Sequence, residues 1–159
     1  MAGRDNLTEA EERAAVVAAA LAWVGTPYHM NARVRGAGVD CGQLLIGVFA
    51  DAGIVPSFEV GHSPQDFHLN RREERYLDFI RPHLTEFSGP PQPGDIIMFH
   101  YGHSYSHGAV VIKEEPLTVV HAFMRARQVI EEKLTRHSEV MSDFPGRRNP
   151  LFFTRWPKS

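Results

Sequence analysis

The second half of the chain carries a succession of short apolar segments that are typical of β-strands. They are rich in Val, Ile, Leu and Phe and are bounded by turn-forming residues. The short connection at residues 113–116 suits a hairpin, which makes the two strands that it joins antiparallel. The predicted strands cover residues 95–100, 107–112, 117–123, 129–134 and 151–156. A mostly antiparallel sheet of about five strands is therefore the main constraint on the fold.

Two helices are predicted before the strands. Thr8 followed by Glu11 has the spacing of a capping box, and apolar positions then repeat at helical intervals to about residue 24. A second apolar-periodic segment begins at Asp40 or Cys41 and ends at about residue 52. Since helices come first and strands later, we predict an α+β fold with the helices packed on the sheet.

The remaining segments show no strong periodicity. Residues 26–39 are interpreted as a loop, and residues 72–80 as a third helix that ends before Pro82. Residues 88–94 form a turn-rich connector, but neither flank is large enough to build a separate core. We therefore predict one domain over residues 1–159.

Composition excludes several classes of protein. The chain has 159 residues, is 43% hydrophobic and carries a net charge of −2, which is typical of a globular domain and does not favour nucleic-acid binding. The apolar run at residues 14–24 follows three glutamates instead of the cations of a secretion signal, and it is too short to span a membrane. We expect synthesis in the cytoplasm without a signal peptide and no transmembrane segment.

Cys41 is the only cysteine, so the chain has no internal disulfide. It lies in the first turn of the second predicted helix, where the positive end of the helix dipole favours a thiolate and lowers the thiol pKa. It also shares a helical stripe with Leu44 and Leu45, which directs the thiol toward whatever the helix packs on. This position is suited to a nucleophile.

His107 and His121 lie on two strands that the hairpin joins. Side chains alternate along a strand, so both imidazoles can face the same side of the sheet. If the second helix packs on that face, the two histidines converge with Cys41. Cys41 would then attack a carbonyl, His107 would take and return the proton, and His121 would orient His107. The backbone N–H of Cys41 could donate to the oxyanion.

The residues together resemble the NlpC family of cell-wall cysteine peptidases. The match extends over about residues 14–123 and depends on five ordered pieces, none specific by itself. These are Gly25-Thr26-Pro27-Tyr28, Asp40-Cys41 at a helix start, Pro93-Gly94-Asp95-Ile96-Ile97-Met98-Phe99, His107-Gly108-Ala109-Val110-Val111 and Val120-His121-Ala122. The segment at residues 66–72 and the expected lack of a signal peptide look more like the phage and prophage branch, which is found with tail genes.

This resemblance implies a compact papain-like fold and hydrolysis of amide bonds in peptidoglycan stem peptides, typically between D-γ-glutamyl and a diamino acid. It implies that Cys41 is the nucleophile, His107 the base and His121 the orienting residue. Tyr28 would lie beside the thiol, Asp40 would hold the amino end of the substrate, and Gly42 is counted with them as substrate-binding. The implied partners are the stem peptide and proteins of a phage tail or gene-transfer particle. No cofactor is implied.

One departure from the family pattern affects the expected substrate. The family usually reads Asp-Cys-Ser-Gly-Leu, whereas this chain has Gly42 and Gln43 after the cysteine. We expect Gln43 on the exposed side of the first turn. The departure leaves open two alternatives on the same fold, a non-catalytic module that binds a tail or cell wall, and a related amidase or acyltransferase.

Simpler roles exist for the same residues. A lone cysteine is usually a small buried hydrophobe, His121 could be a core histidine, and Asp40 is explained as a helix cap. His100 and His103 with His107 could suggest a metal site, but their spacing is not that of a helical zinc motif. We expect no metal.

Overall fold

The computed structural model describes residues 7–60, 75–101, 104–141 and 147–158. Its helices are α1 (Glu9–Ala22), α2 (Cys41–Asp51) and α3 (Arg75–Ile80). Its strands are β1 (Arg33–Val34), β2 (Gly38–Val39), β3 (Thr85–Phe87), β4 (Ile96–Tyr101), β5 (Ser104–Glu114), β6 (Leu117–Phe123), β7 (Gln128–Lys133) and β8 (Leu151–Thr154). Two short 3₁₀ turns, Met124–Ala126 and Glu139–Met141, complete the described elements.

The main sheet has six strands in the order β3-β8-β4-β5-β6-β7, and every neighbouring pair is antiparallel. The α+β class and the mostly antiparallel sheet are thus confirmed. The additional strand, β3, has three residues and lies at the sheet edge, and it is too short to show a period. The predicted loop at residues 26–39 also contains the small antiparallel pair β1–β2.

Helix α1 is fixed to the sheet by a buried ion pair. Thr8 caps the helix by accepting from the backbone N–H of Glu11. One turn later, the guanidinium of Arg13 lies 3.0 Å from the carboxylate of Asp95, the residue immediately before β4. The same guanidinium lies 4.4 Å from the ring centre of Trp156. This arrangement joins α1 to the sheet and to the segment that follows β8.

Helix α2 is buried along most of its length, between α1 and the sheet. Two glycines permit its close approach. A Cβ on Gly47 would lie 2.6 Å from the ring of Trp23, and a Cβ on Gly108 would lie 2.8 Å from Leu45. Close packing of this helix places its N-terminus against the middle of the sheet.

The sheet is buried on both faces. One face contributes Val110, Val120 and Ala122 to the core that includes α2. The opposite face forms a second apolar cluster, which contains Phe99, Ala109, Val111 and Val119 together with Leu134 and Val140. Strands β4, β5 and β6 therefore lie in the interior, where side-chain position is tightly constrained.

We expect Arg13→Ala to lower the free energy of unfolding by about 3 kcal/mol, because it leaves a buried carboxylate without its cation. Urea denaturation measures the change. The matched control is Arg35→Ala, whose 3.7 Å ion pair with Asp51 is exposed and whose loss costs less than about 0.5 kcal/mol. Equal losses in the two variants would contradict the structural role assigned to Arg13.

Candidate active site

Cys41 is the first residue of α2, as predicted, and only 1% of its surface is exposed. The preceding Asp40 caps the helix. Its Oδ1 accepts from the backbone N–H of Gln43 at 2.9 Å, and its Oδ2 accepts from that of Asn31 at 2.7 Å. These contacts fix the backbone on both sides of the thiol.

Several polar groups surround the Cys41 sulfur, including those of Ser106, Tyr76 and Tyr28. The sulfur lies 3.5 Å from the carbonyl oxygen of Ser106 and 3.6 Å from the phenol oxygen of Tyr76. A carbonyl can only accept, so the single thiol proton is donated to Ser106, and the phenol of Tyr76 is able to donate to the sulfur.

Burial raises the pKa of the Cys41 thiol to about 12, and the negative charge of Asp40 adds to the effect. Hydrogen bonds from Tyr76 and Tyr28 act in the opposite direction, but they are the weaker influence. The expectation that the helix dipole produces a thiolate is therefore wrong. The helix end is shielded from water and its cap is a carboxylate, so the resting side chain is a neutral thiol.

The two predicted histidines are in direct contact. His107 on β5 and His121 on β6 are joined by a 2.7 Å hydrogen bond between Nε2 of the first and Nδ1 of the second. Nε2 of His121 lies 2.9 Å from Oε1 of Glu132 on β7. The three side chains form a line across three neighbouring strands, and His121 is fully buried.

This line determines the positions of the imidazole protons. The carboxylate of Glu132 can only accept, so the proton of neutral His121 is on Nε2. Nδ1 of His121 then accepts, and His107 donates from its own Nε2. Nδ1 of His107 is therefore the nitrogen without a proton, which is the form that a general base requires.

The prediction that α2 packs on the sheet face that carries the two histidines is wrong. The two imidazoles share a face of the sheet, as predicted, but α2 packs on the opposite face. Strands β5 and β6 are paired only near their connection, from Glu114 opposite Leu117 to Val110 opposite Val120. Strand β6 continues beyond this point and pairs with β7 as far as Phe123 opposite Gln128. His107 thus lies beyond the paired part of the β5–β6 ladder.

An irregularity in β5 brings its backbone to the thiol. Phe99 pairs with His107 and His100 with Tyr105, so Ser106 is an extra residue that bulges from the β4–β5 ladder. Its carbonyl is the one that contacts Cys41. Because Ser106 and His107 are adjacent, the bulge links the thiol on one side of the sheet to the imidazoles on the other.

Cys41 and His107 line the same cleft, which has a volume of about 410 Å³. Tyr28, Tyr101 and Phe123 provide aromatic walls, and Arg125 and Arg147 bring positive charge. The hydroxyl of Ser106 is buried and has no hydrogen-bond partner among the described residues. An unpaired buried hydroxyl is costly, so a ligand that bonds to it would bind more tightly.

The predicted substrate residues occupy different surroundings. Tyr28 lines the cleft, and burial raises the pKa of its phenol, so it remains protonated. Both oxygens of Asp40 already accept backbone N–H groups, and a substrate amine would have to share them. Gly42 lies against the ring of Tyr76 and does not itself line the cleft.

Gln43 is not on the exposed side of the first turn, as we had expected, but is buried. Its side-chain oxygen accepts from the guanidinium of Arg33 at 2.8 Å. The same guanidinium donates to Ser57 and forms a 2.9 Å ion pair with Glu59. Gln43 therefore connects the first turn of α2 to the segment that follows this helix.

Glu132 and Tyr76 were missed by sequence reasoning. His121 pairs with Ile130, and Glu132, two residues further along β7, is its diagonal neighbour on the same face. The predicted strands indicated that this pairing occurs, but not its register, so Glu132 could have been named only as one of several candidates. Tyr76 contacts Cys41 through a short helix distant in the chain, and no sequence pattern indicated this contact.

His100, one of the histidines considered for a metal, has other partners. Nδ1 of His100 accepts from the backbone N–H of Arg148 at 3.2 Å, and its ring packs edge-on against Tyr105. His103 lies outside the described residues, and no group of three potential metal ligands occurs within them.

The fold is similar to those of several NlpC/p60 domains of known structure. The NlpC/p60 domain of the peptidoglycan hydrolase SagA is 18% identical, with a TM-score of 0.58 over 89% of this chain and 96% of that one. The peptidoglycan hydrolase RipB of Mycobacterium tuberculosis is 16% identical, with a TM-score of 0.60 over 99% and 73%. The P60 domain of an antigen from M. avium subspecies paratuberculosis is 15% identical, with a TM-score of 0.55 over 89% and 93%.

These similarities show that the chain has the fold of NlpC/p60 domains. The sequence matches no protein-family model and no curated protein. At such low identity the likeness concerns the fold, and the chemistry of the site has to be argued from its own residues. Among the described residues, no helix is long and apolar enough to cross a membrane.

We expect alkylation of Cys41 by iodoacetamide to be slow at pH 7 and to accelerate about tenfold per pH unit between pH 8 and 10, because only the thiolate reacts and the thiol pKa is about 12. Mass spectrometry of timed samples measures the rate. The control is the urea-unfolded chain, whose thiol has an ordinary pKa of about 8.5 and reacts faster. A fast, pH-independent reaction of the folded protein near pH 6 would contradict the buried neutral thiol.

We expect both His107 and His121 to carry their proton on Nε2, as the Glu132 contact requires. Long-range ¹H–¹⁵N NMR spectra distinguish the two imidazole tautomers directly. Glu132→Leu removes the acceptor, so part of His121 should adopt the other tautomer, with its proton on Nδ1. Glu131→Leu, one residue earlier on β7, is the control and should leave the spectra of both histidines unchanged. Unaltered tautomers in Glu132→Leu would exclude the role assigned to this carboxylate.

Proposed function

We propose that this chain is a cysteine hydrolase that cleaves amide bonds in the stem peptides of bacterial peptidoglycan. The observation that carries the proposal is the hydrogen-bonded line His107–His121–Glu132, whose proton-accepting nitrogen belongs to a residue that shares a cleft with Cys41. A nucleophile, a base and a residue that orients the base are the three parts that acyl transfer requires.

The proposed reaction begins with proton transfer from the Cys41 thiol to Nδ1 of His107. The sulfur attacks the substrate carbonyl, and the oxygen becomes an oxyanion. The backbone N–H of Cys41 belongs to the first turn of α2, whose amides have no partner within the helix, and it can donate to this oxyanion. His107 then protonates the leaving amine, the C–N bond breaks, and a thioester remains on Cys41.

Water completes the proposed cycle. His107 takes a proton from the water as its oxygen attacks the thioester, and the C–S bond breaks to release a carboxylic acid. The proton returns to the sulfur and restores the neutral thiol. Throughout the cycle, His121 and Glu132 hold His107 in the tautomer that can accept a proton, and they stabilise the imidazolium when it forms.

The lining of the cleft favours a peptide that is rich in carboxylates. Arg125 and Arg147 border it, although Arg125 is also paired with Glu139 at 2.6 Å. The hydroxyl of Ser106 can bond to a substrate amide. Stem peptides carry several free carboxylates, and within them we propose the D-γ-glutamyl–diamino acid bond as the one cleaved. Tyr28 and Asp40 would contact the part of the substrate on the amino side of that bond.

Delivery by a phage tail or gene-transfer particle is a finer part of the proposal. It is supported by the resemblance of the segment at residues 66–72, which lies outside the described residues, to the phage and prophage branch. Proteins of such a particle would then be partners of this domain.

A second candidate function is a binding module on the same fold with little or no catalytic activity. The raised pKa of Cys41 favours it, because a buried neutral thiol is a poor nucleophile until its proton is removed. An acyltransferase is the third alternative, and it differs only in the acceptor that resolves the thioester.

Digestion of purified peptidoglycan, followed by mass spectrometry of the released muropeptides, tests the proposal. We expect the wild-type protein to release cleaved stem peptides, Cys41→Ala to release none, and His107→Ala to lose activity by at least about 10³-fold, since nucleophile and base act as one unit. His121→Ala should be less severe, because it leaves the base in place. Thermal unfolding of each variant controls for loss of fold.

The same digestion in H₂¹⁸O separates the alternatives. Hydrolysis places one ¹⁸O in each new carboxyl group, whereas transfer to an added amine does not. Full activity of Cys41→Ala would overturn the mechanism, and a wild-type protein that binds peptidoglycan but releases nothing would favour the binding module.

A further inference from the structure

Tyr76 has no part in the chemistry above, yet its phenol oxygen lies 3.6 Å from the Cys41 sulfur. It belongs to α3, which lies in the long segment between α2 and the sheet. The side chain is only 4% exposed. A polar group this deeply buried that contacts a nucleophile needs a physical explanation.

The ring of Tyr76 requires a glycine at position 42. A Cβ on Gly42 would lie 2.6 Å from Cε1 of the ring and 3.1 Å from both Cδ1 and Cζ. Gly42 is within the regular helix α2, where glycine costs about 1 kcal/mol relative to alanine. Its backbone does not adopt a conformation that needs glycine, so the close approach of the ring is the reason for this residue.

Neighbouring side chains hold the ring in this position. Phe79, one turn later on α3, packs edge-on against Tyr76 with ring centres 5.5 Å apart. Leu77 and Ile80 are buried in the same core as α2. The contact between phenol and sulfur is therefore a consequence of how α3 packs, and it does not depend on a mobile surface side chain.

The charges around the sulfur show what the phenol can contribute. Cys41 faces Asp40 on its own helix, Tyr28 from the preceding loop, Tyr76 from α3 and His107 across the cleft. When the thiol loses its proton, the new negative charge is buried close to a carboxylate. Burial raises the pKa of Tyr76 above its ordinary value, so the phenol keeps its proton and can donate to that charge.

We propose that Tyr76 is a further catalytic residue, which donates a hydrogen bond to the Cys41 sulfur as the thiolate forms, and that residue 42 is glycine to admit it. This inference rests on the proposed function as a cysteine hydrolase. It explains why the chain departs from the family pattern directly after the nucleophile, where a serine would displace the ring.

Tyr76→Phe tests the proposal, because it removes the hydroxyl and keeps the ring against Gly42. A hydrogen bond to a charged group contributes enough to change a rate by about 10- to 100-fold. We therefore expect the rate of iodoacetamide alkylation at pH 8 to fall by about tenfold or more, with the rate–pH curve displaced to higher pH. With a stem-peptide substrate, kcat should fall by a similar factor while KM changes less than about twofold.

Tyr105→Phe is the matched control. Tyr105 is also buried, but its hydroxyl donates to the carbonyl of Asn149 at 2.8 Å. This variant also loses a phenol hydroxyl from a buried tyrosine, but one that is bonded away from the sulfur. The alkylation rate of Cys41 should therefore remain that of the wild type. Tyr76→Phe behaving like this control would mean that the hydroxyl has only a structural role, and the proposal would be overturned.

Gly42→Ala tests the reason for the glycine. In the wild-type background the new methyl group displaces the ring, and alkylation should slow as it does in Tyr76→Phe. In a Tyr76→Ala background the space is vacant, and adding Gly42→Ala should cause no further change. Equal effects in both backgrounds would show that residue 42 does not act through Tyr76.

The alkylation measurement separates this inference from the proposed function. If wild-type protein cleaves no peptidoglycan, the proposed function fails, whereas the effect of Tyr76 on the thiol is still measured. Faster alkylation in Tyr76→Phe would identify the phenol as a cover over the sulfur and overturn the proposal.

Discussion

The packing of α2 between α1 and the sheet is the constraint on which the site depends. Gly47 and Gly108 allow the helix to approach closely, and an apolar core surrounds nearly its whole length. The helix N-terminus is thereby held at the bulge of Ser106, which is adjacent to His107. A looser helix would leave the thiol outside hydrogen-bond distance of β5.

Burial has opposite consequences for the two halves of the site. It disfavours the charged form of Cys41, so the resting thiol keeps its proton. It also isolates His121 from water, so its hydrogen bonds to His107 and Glu132 have no competitor and define one tautomer. The site therefore combines a neutral thiol with an imidazole whose proton-accepting nitrogen is already defined.

Local sequence patterns carried most of the architecture. Helix caps, helical apolar stripes and the apolar segments of strands depend on residues that are close in the chain. The predicted ends of α1, α2 and strands β4 to β8 therefore lie within a few residues of the observed ends. The shared face of His107 and His121 was also predicted, from hairpin pairing and side-chain alternation. Their exact register depends on an irregularity between Val111 and Lys113 that the sequence did not indicate. The strand β3 and the pair β1–β2 were missed, since elements of two or three residues have too few positions to show a period.

By itself, the sequence determined the α+β class, the helix start at Cys41 and the shared face of the two histidines. Only the tertiary structure decided which face α2 covers, how acidic the thiol is, and that Glu132 and Tyr76 reach the site. The physical reason is that burial, electrostatics and ring packing depend on residues that are distant in the chain. Periodicity reports which side of an element is apolar, but it does not report what covers that side.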